Sequence, residues 1–210
     1  MNKRRIVLSG ICFLLFLIVF LFTFSDHVHF FDQEVYHLVR MLDSDFFDMY
    51  FVFITKFGNV TMITILILTF IFLFRNRYAI ILGGLGCISV ISNTFIKVLV
   101  QRDRPDVLRL IEQGGYSFPS GHAMISICVY GYLLYLVFIK IKHKVLKYGL
   151  GILLSILIIS IGISRIYVGV HYASDVLAGY FLAISITLLI IELSNRYYVR
   201  GCSNVQNGSK

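Results

Sequence analysis

Three clusters of chemically capable residues stand out along the chain. The first is Lys97, followed after six residues by Arg104-Pro105. The second is Phe118-Pro119-Ser120-Gly121-His122, and the third is Ser164-Arg165, then His171, then Asp175. Each cluster abuts an apolar run long enough to cross a membrane. Charges and histidines are costly in such positions, so together they point to a site that handles an anion at a bilayer surface. Lys97, Arg104 and Arg165 supply three fixed cations, which suit the dispersed charge of a phosphoryl group. Ser120 and Gly121 sit where a helix begins, with backbone N–H groups facing outward, and Gly121 lets the backbone come close to a ligand. Lys97 and Arg104 share a face if the helix carrying Lys97 continues beyond it, which would turn Arg102 elsewhere. His171 and Asp175 are at i and i+4. If both are helical, the carboxylate holds the imidazole tautomer and leaves Nε2 free to attack phosphorus. His122, from another connection, is suited to protonate the leaving oxygen. Such a site needs neither metal nor cofactor.

Each of these residues also has an ordinary reading. Lys97, Arg104 and Arg165 can each be interface residues that snorkel to headgroups. His122 alone can be a structural, hydrogen-bonded histidine. His171 with Asp175 is half of a metal site, but no third ligand accompanies it at useful spacing. Ser120 as a nucleophile lacks the Gly-x-Ser-x-Gly elbow. It is the coincidence of three clusters in one chain that favours a composite site.

The surrounding chain must position them. Hydrophobic residues make up 58% of the 210, charged residues 14%, and mean hydropathy is +0.84, which describes a polytopic membrane protein. A net charge of +8 would suggest nucleic acid in a soluble chain. Here the basic residues gather between apolar runs, so they read as topology and no nucleic-acid partner is expected. Cys12, Cys87, Cys128 and Cys202 have no metal-site spacing and suggest no disulfide framework, so each is expected to serve in packing.

The fold expected is all-α, one membrane-embedded domain over residues 1–210 with six transmembrane helices. Residues 6–24 form an uncleaved first span after Lys3-Arg4-Arg5. In the polar stretch 25–48, Phe31, Val35, Leu38, Val39 and Leu42 recur on one helical face, as in a helix lying in the interface plane. That helix is either a connector packed on the bundle or a rest for a lipid substrate. Further spans are expected at about 58–74, 78–97, from Pro119 to about Ile139, 145–163 and 175–194. No internal repeat is visible. Six spans put both termini on one side, and that side carries 12 of the 19 Lys and Arg, against 7 on the other. The excess marks the termini as cytoplasmic and all three clusters as facing out.

Lys97-x6-Arg104-Pro105, Pro119-Ser120-Gly121-His122 and Ser164-Arg165-x5-His171-x3-Asp175 resemble the tripartite signature of the type-2 phosphatidic acid phosphatase superfamily, with no departure at a signature position. The resemblance implies a metal-independent lipid phosphatase in the plasma membrane. In it His171 is the nucleophile that becomes phosphorylated, His122 the proton donor and Asp175 the residue that orients His171. Lys97, Arg104, Ser120, Gly121 and Arg165 bind phosphate. The six spans argue against the soluble acid phosphatases and vanadium haloperoxidases of the same superfamily. The short chain most resembles bacterial members acting on phosphatidylglycerophosphate and undecaprenyl diphosphate, with phosphatidate a third candidate. Gly121 stands where some polyprenyl-diphosphate specialists carry Asp. The competing class is a non-enzymatic anion-binding protein or transporter, whose sites lie near the midplane between repeats, and neither feature is visible.

The orientation is testable. A cysteine introduced at Gly114 should react with an impermeant thiol reagent added to intact cells; labelling only after lysis would reverse the orientation.

Overall fold

The computed structural model describes residues 2–207, with side chains as far as Tyr197. Cys202, Arg200 and Lys210, in the basic tail, lie outside the described side chains. Among the described residues there are nine helices and no strand: α1 (Lys3–Phe22), α2 (His27–Arg40), α3 (Asp45–Ile54), α4 (Val60–Phe74), α5 (Arg77–Val100), α6 (Gly121–Ser126), α7 (Tyr132–Lys140), α8 (Lys144–Tyr167) and α9 (Ala173–Asn207). A π-helical turn, Ile127–Gly131, joins α6 to α7, so Gly121–Lys140 is one continuous helix.

Helix boundaries follow polar side chains that cap free backbone N–H groups, a need made acute by the absence of water in a bilayer. Asn2 accepts from Arg4 N, Ser44 from Phe47 N, Asn59 from Thr61 N, and Asn76 from both Tyr78 N and Ala79 N. Five helices are long and apolar enough to cross a membrane. The second expected span is the exception. Alone, α4 reaches only about 22 Å at 1.5 Å per residue, short of a hydrocarbon core of about 30 Å. It follows α3 through a 3₁₀ turn at Thr55–Gly58 with a bend of 51°, and among the described residues this bent pair is the candidate for a sixth crossing. The break falls where Asn59 caps α4 and interrupts the apolar run. Pro119, expected in the first helical turn, instead precedes Ser120, which stands just ahead of α6 at its N-cap.

Gly121–Lys140 supplies the centre of the bundle. Met124, Cys128, Val129 and Tyr132 are buried there against Leu82 and Leu85 of α5, Ile161 of α8 and Ala178 and Leu182 of α9. Helix α1 lies along α9: Ser9 Oγ donates to Ser185 O at 2.9 Å, and Glu192 accepts from Asn2 N at 2.7 Å and pairs with Arg5 at 3.4 Å. Outward-facing Leu14, Ile18, Leu68, Phe72, Ile91, Phe95, Ile156 and Ile159 are exposed, an apolar girdle suited to acyl chains. Cys12 and Cys128 are buried, whereas Cys87 is on this exposed surface and is not a packing residue.

Helix α2 is amphipathic, but its packed face differs from the expected one. Phe31, Val35 and Val39 do pack on Ala123, Ile166, Ala173 and Val176. Leu38 and Leu42 are exposed, and their place on the packed side is taken by Val28 and Asp32, both buried. The face runs at 28, 31, 32, 35 and 39, with a carboxylate at its centre.

Close packing of α8 against α9 gives a stability test. A Cβ at Gly162 would stand 1.9 Å from the Tyr180 hydroxyl, which donates to Ile158 O at 2.5 Å. Gly162→Ala should cost about 1–3 kcal/mol by overpacking. Thermal unfolding in detergent should show a lowered Tm, partly restored by adding Tyr180→Phe; an unchanged Tm would contradict the packing.

Candidate functional site

The three sequence clusters meet at one end of the bundle. Lys97 lies in the last turn of α5, where its Nζ donates to the Tyr116 and Ser117 carbonyls. The helix stops at Val100 and Gln101 turns the chain with φ 51°. Lys97 and Arg104 therefore do not share a helical face as the spacing suggested. Arg104 comes back from the loop, held by the carbonyls of Gly115 at 2.8 Å, Gly114 at 2.9 Å, Tyr116 at 3.2 Å and Val170 at 2.7 Å.

Arg165, in the last turn of α8, is fully buried. Its Nη1 donates to Thr55 Oγ1 at 2.6 Å and its Nη2 to Gln113 Oε1 at 3.0 Å, while Nε has no protein partner. After α8 the chain reverses through Gly169 at φ 74°, where a Cβ would lie 2.3 Å from the Leu108 carbonyl, so only glycine fits. That reversal delivers His171 just ahead of α9.

His171 is not helical, contrary to the condition set on the i, i+4 pair. The pair forms nonetheless, because Asp175 lies in the first turn of α9: Nδ1 of His171 is 3.3 Å from Asp175 Oδ2. On the other side of the ring, Nε2 is 3.3 Å from Arg104 Nη1. A guanidinium can only donate, so Nε2 presents its lone pair and the ring proton belongs on Nδ1, toward the carboxylate. Burial holds the His171 pKa well below the ordinary value, and the charges of Arg165, Lys97 and Arg104 push it the same way. The imidazole is thus neutral near pH 7, with a free electron pair at Nε2.

Gly121 and His122 open α6. Ser120 N donates to the Asp175 carbonyl at 3.0 Å, and Ser120 Oγ is buried without a protein partner. Asn93 of α5 fixes this turn by donating to Pro119 O at 2.9 Å, and a side chain at 121 would meet Asn93 Oδ1 at 2.9 Å. A cavity of about 190 Å³ is lined by Lys97, Arg104, Gly121, His122 and His171, with Asn93, Thr94 and Gln113. Ser120, Arg165 and Asp175 do not line it and are buried. The arrangement offers a neutral imidazole, a second histidine and several cations around a space of phosphate size. Among the described residues no three His, Cys, Asp or Glu side chains gather as a metal-binding set.

Sequence reading missed four contributors. Asn93, Thr55 and Gln113 are neutral, and nothing in their type signals a site. Arg102 was expected to point elsewhere, yet its Nη1 reaches Asp175 Oδ1 at 2.7 Å and its Nη2 reaches Asp32 at 2.8 Å. A lone carboxylate on the apolar face of α2 was the available signal for that pair.

Residues 77–198 match the PAP2 superfamily. Phosphatidylglycerophosphatase B of Bacillus subtilis is 38% identical over 103 residues, covering 47% of this chain and 49% of that protein. The undecaprenyl-diphosphatase of Sulfolobus acidocaldarius is 28% identical over 172 residues, 79% of each chain. The chain spans about half the length of the Bacillus relative. A solved structure, described as that of the first transmembrane PAP2-type phosphatidylglycerolphosphate phosphatase from Bacillus subtilis, superposes with a TM-score of 0.79 at 25% identity, covering 90% of this chain and 96% of that one. All three clusters fall inside the matched segment, on a bundle of the same fold, and the chain is a multi-pass membrane member of the PAP2 superfamily.

Proposed function

We propose that this chain is an integral-membrane, metal-independent lipid phosphatase that removes the terminal phosphate of a lipid phosphate through a phosphohistidine at His171. The observation that carries the reading is the His171 ring, with Nδ1 on Asp175 and the Nε2 lone pair beside Arg104 on the wall of a cation-lined cavity. Nε2 attacks phosphorus, the bond to the leaving oxygen breaks, and His122 gives that oxygen its proton. Water then attacks the phosphohistidine, His122 takes up the water's proton, and phosphate leaves. Lys97, Arg104 and Arg165, with the Ser120 hydroxyl and the backbone at Gly121, balance the charge that develops on the phosphoryl oxygens. The buried donors Arg165 Nε and Ser120 Oγ, which have no protein partner, support an anion-binding role. An unpartnered buried donor is costly, and a phosphate oxygen would satisfy it.

The substrates favoured are phosphatidylglycerophosphate and undecaprenyl diphosphate, with phosphatidate as a third. Support comes from the names of the Bacillus and Sulfolobus relatives. The bias of basic residues toward the termini supports a site at the outer face of the plasma membrane with the termini in the cytoplasm. Residues 1–210 then act as one lipid phosphatase domain.

Phosphoenzyme trapping under alkaline quench tests the two histidines, with excess chelator present throughout. Wild type should form an acid-labile, base-stable phosphoryl label, and His171→Ala should form none. His122→Ala should slow labelling by roughly 10²–10⁴-fold, the usual worth of general acid catalysis. That loss should shrink for an aryl phosphate whose leaving group needs no proton. Asp175→Asn should fall between. A label surviving in His171→Ala or appearing on Ser120 would assign the wrong nucleophile, and activity abolished by chelator and restored by a divalent ion would reject the metal-free route.

A further inference from the structure

Behind His171, Asp175 anchors a buried ionic chain whose other members, Arg102 and Asp32, belong to none of the three sequence clusters. Asp175 uses its two oxygens differently. Oδ2 faces His171 Nδ1 at 3.3 Å and accepts from Tyr172 N at 3.0 Å, while Oδ1 is held by Arg102 Nη1 at 2.7 Å. The other arm of the Arg102 fork, Nη2, donates to Asp32 Oδ2 at 2.8 Å. Asp32 belongs to α2, which packs against the ends of α6, α8 and α9, and its side chain is buried. It also caps α9 from outside, accepting from Ser174 N through Oδ1 and from Ser174 Oγ through Oδ2, both at 2.8 Å. The guanidinium lies 4.0 Å above the Tyr172 ring, so both its edges and its face are engaged.

We propose that Arg102 and Asp32 are positioning residues for His171: Arg102 fixes the Asp175 carboxylate so that a single oxygen meets Nδ1, and Asp32 fixes Arg102 while seating α2 on the site. This rests on the reading of His171 as the nucleophile. The physical basis is geometric. A carboxylate free to rotate about its last bond would swing out of line with Nδ1–H, weakening the hydrogen bond that favours the Nδ1–H tautomer and fixes the ring. A planar guanidinium with two edges committed removes that freedom, which an ammonium, with one point of charge, would do less well. Seating through Asp32 makes the docking of α2 part of the same arrangement, because the helix contributes a bond to Arg102 and two to Ser174.

The test is a set of variants assayed for phosphate release from short-chain phosphatidate in detergent micelles. Arg102→Gln should lower kcat by about ten- to a hundredfold, the range seen when partners behind a working histidine are removed, with KM changed little. Asp32→Asn should do the same more weakly, and Arg102→Lys should be intermediate. In an Asp175→Asn background none of these should cost anything further, since the group they act on is already altered. Independent, additive losses, or a change confined to KM, would overturn the proposal. Arg102→Gln leaves two carboxylates buried together; if it does not fold, Arg102→Lys and Asp32→Asn carry the test.

A second measurement needs no turnover. In protein labelled with ¹⁵N in its histidine rings, the His171 resonances, assigned by their loss in His171→Asn, should report the Nδ1–H tautomer in wild type. Arg102→Lys and Asp32→Asn should shift them toward the Nε2–H form, and unchanged resonances would reject the positioning role. A wild-type protein inactive on lipid phosphates would reject the phosphatase reading instead, and the His171 resonances would still decide this one.

Discussion

Asp175 is the junction on which this end of the molecule depends. It is fully buried in the first turn of α9, and three separate pieces of chain bond to it. Its side chain takes the His171 ring, the Tyr172 amide and the Arg102 fork, while its backbone carbonyl accepts from Ser120 N at the start of α6. A carboxylate in so dry a position must have all its lone pairs committed, since loss of one partner leaves an uncompensated charge that costs about 3–5 kcal/mol. The helix N-terminus supplies part of the compensation through its free N–H groups. The same residue that orients the candidate nucleophile thus ties α9 to the 101–120 loop and to α6. Chemistry and local architecture share one side chain.

The rest of the bundle is constrained from the opposite direction. Helices that expose Leu, Ile and Phe to acyl chains leave polar side chains almost no place except the ends and the interior seams. At the far end Glu192 is buried with Asn2 and Arg5, a small polar knot that closes α1 on α9. At the near end the polar groups are too many for a knot and enclose a cavity instead. The difference is supplied by the loop of residues 101–120, which contributes carbonyls for Lys97 and Arg104 and the amide of Gln113 for Arg165. That loop packs on protein and, through Arg104 and Gln113, lines the cavity.

Spacing and composition carried the scaffold and the signature residues, because both depend on features that sequence displays directly. Long apolar runs must be helices in lipid, and charged residues at their ends must be accommodated together. What sequence did not display is how the loops fold back. Lys97 and Arg104 met through a left-handed turn at Gln101 rather than along one helix. His171 met Asp175 from just outside α9 rather than from within it. Arg102 joined the site because its direction was set by tertiary pairing with Asp32, which no local periodicity encodes. The face of α2 was misjudged for a related reason. Counting apolar residues alone selected Leu38 and Leu42, whereas burial followed Asp32 and its partners. Helix α3 was hidden because Asp45 and Asp48 lie in its first turn and leave only the short apolar run 49–54 before Thr55-Lys56, which resembles a connector more than half of a broken span.

Charge balance explains why the network takes this form. Lys97, Arg102, Arg104 and Arg165 face two carboxylates, Asp32 and Asp175, and His171 is neutral, so these groups together carry a net charge of +2. Like charges held close in a poorly polarisable setting repel strongly, and the structure limits the cost by distributing carbonyl oxygens over them. Arg104 alone takes four, from Gly114, Gly115, Tyr116 and Val170. Carbonyls lower the energy of a cation without cancelling its charge, which carboxylates would do. Carboxylates are confined instead to the side of His171 away from the cavity, where they pair with Arg102. The result is a cavity wall that is positive and a rear support that carries a net charge of −1. A phosphate dianion entering such a cavity would balance the remaining charge, and His171, the proposed nucleophile, would meet it with its lone pair forward, its proton behind and no negative group between them.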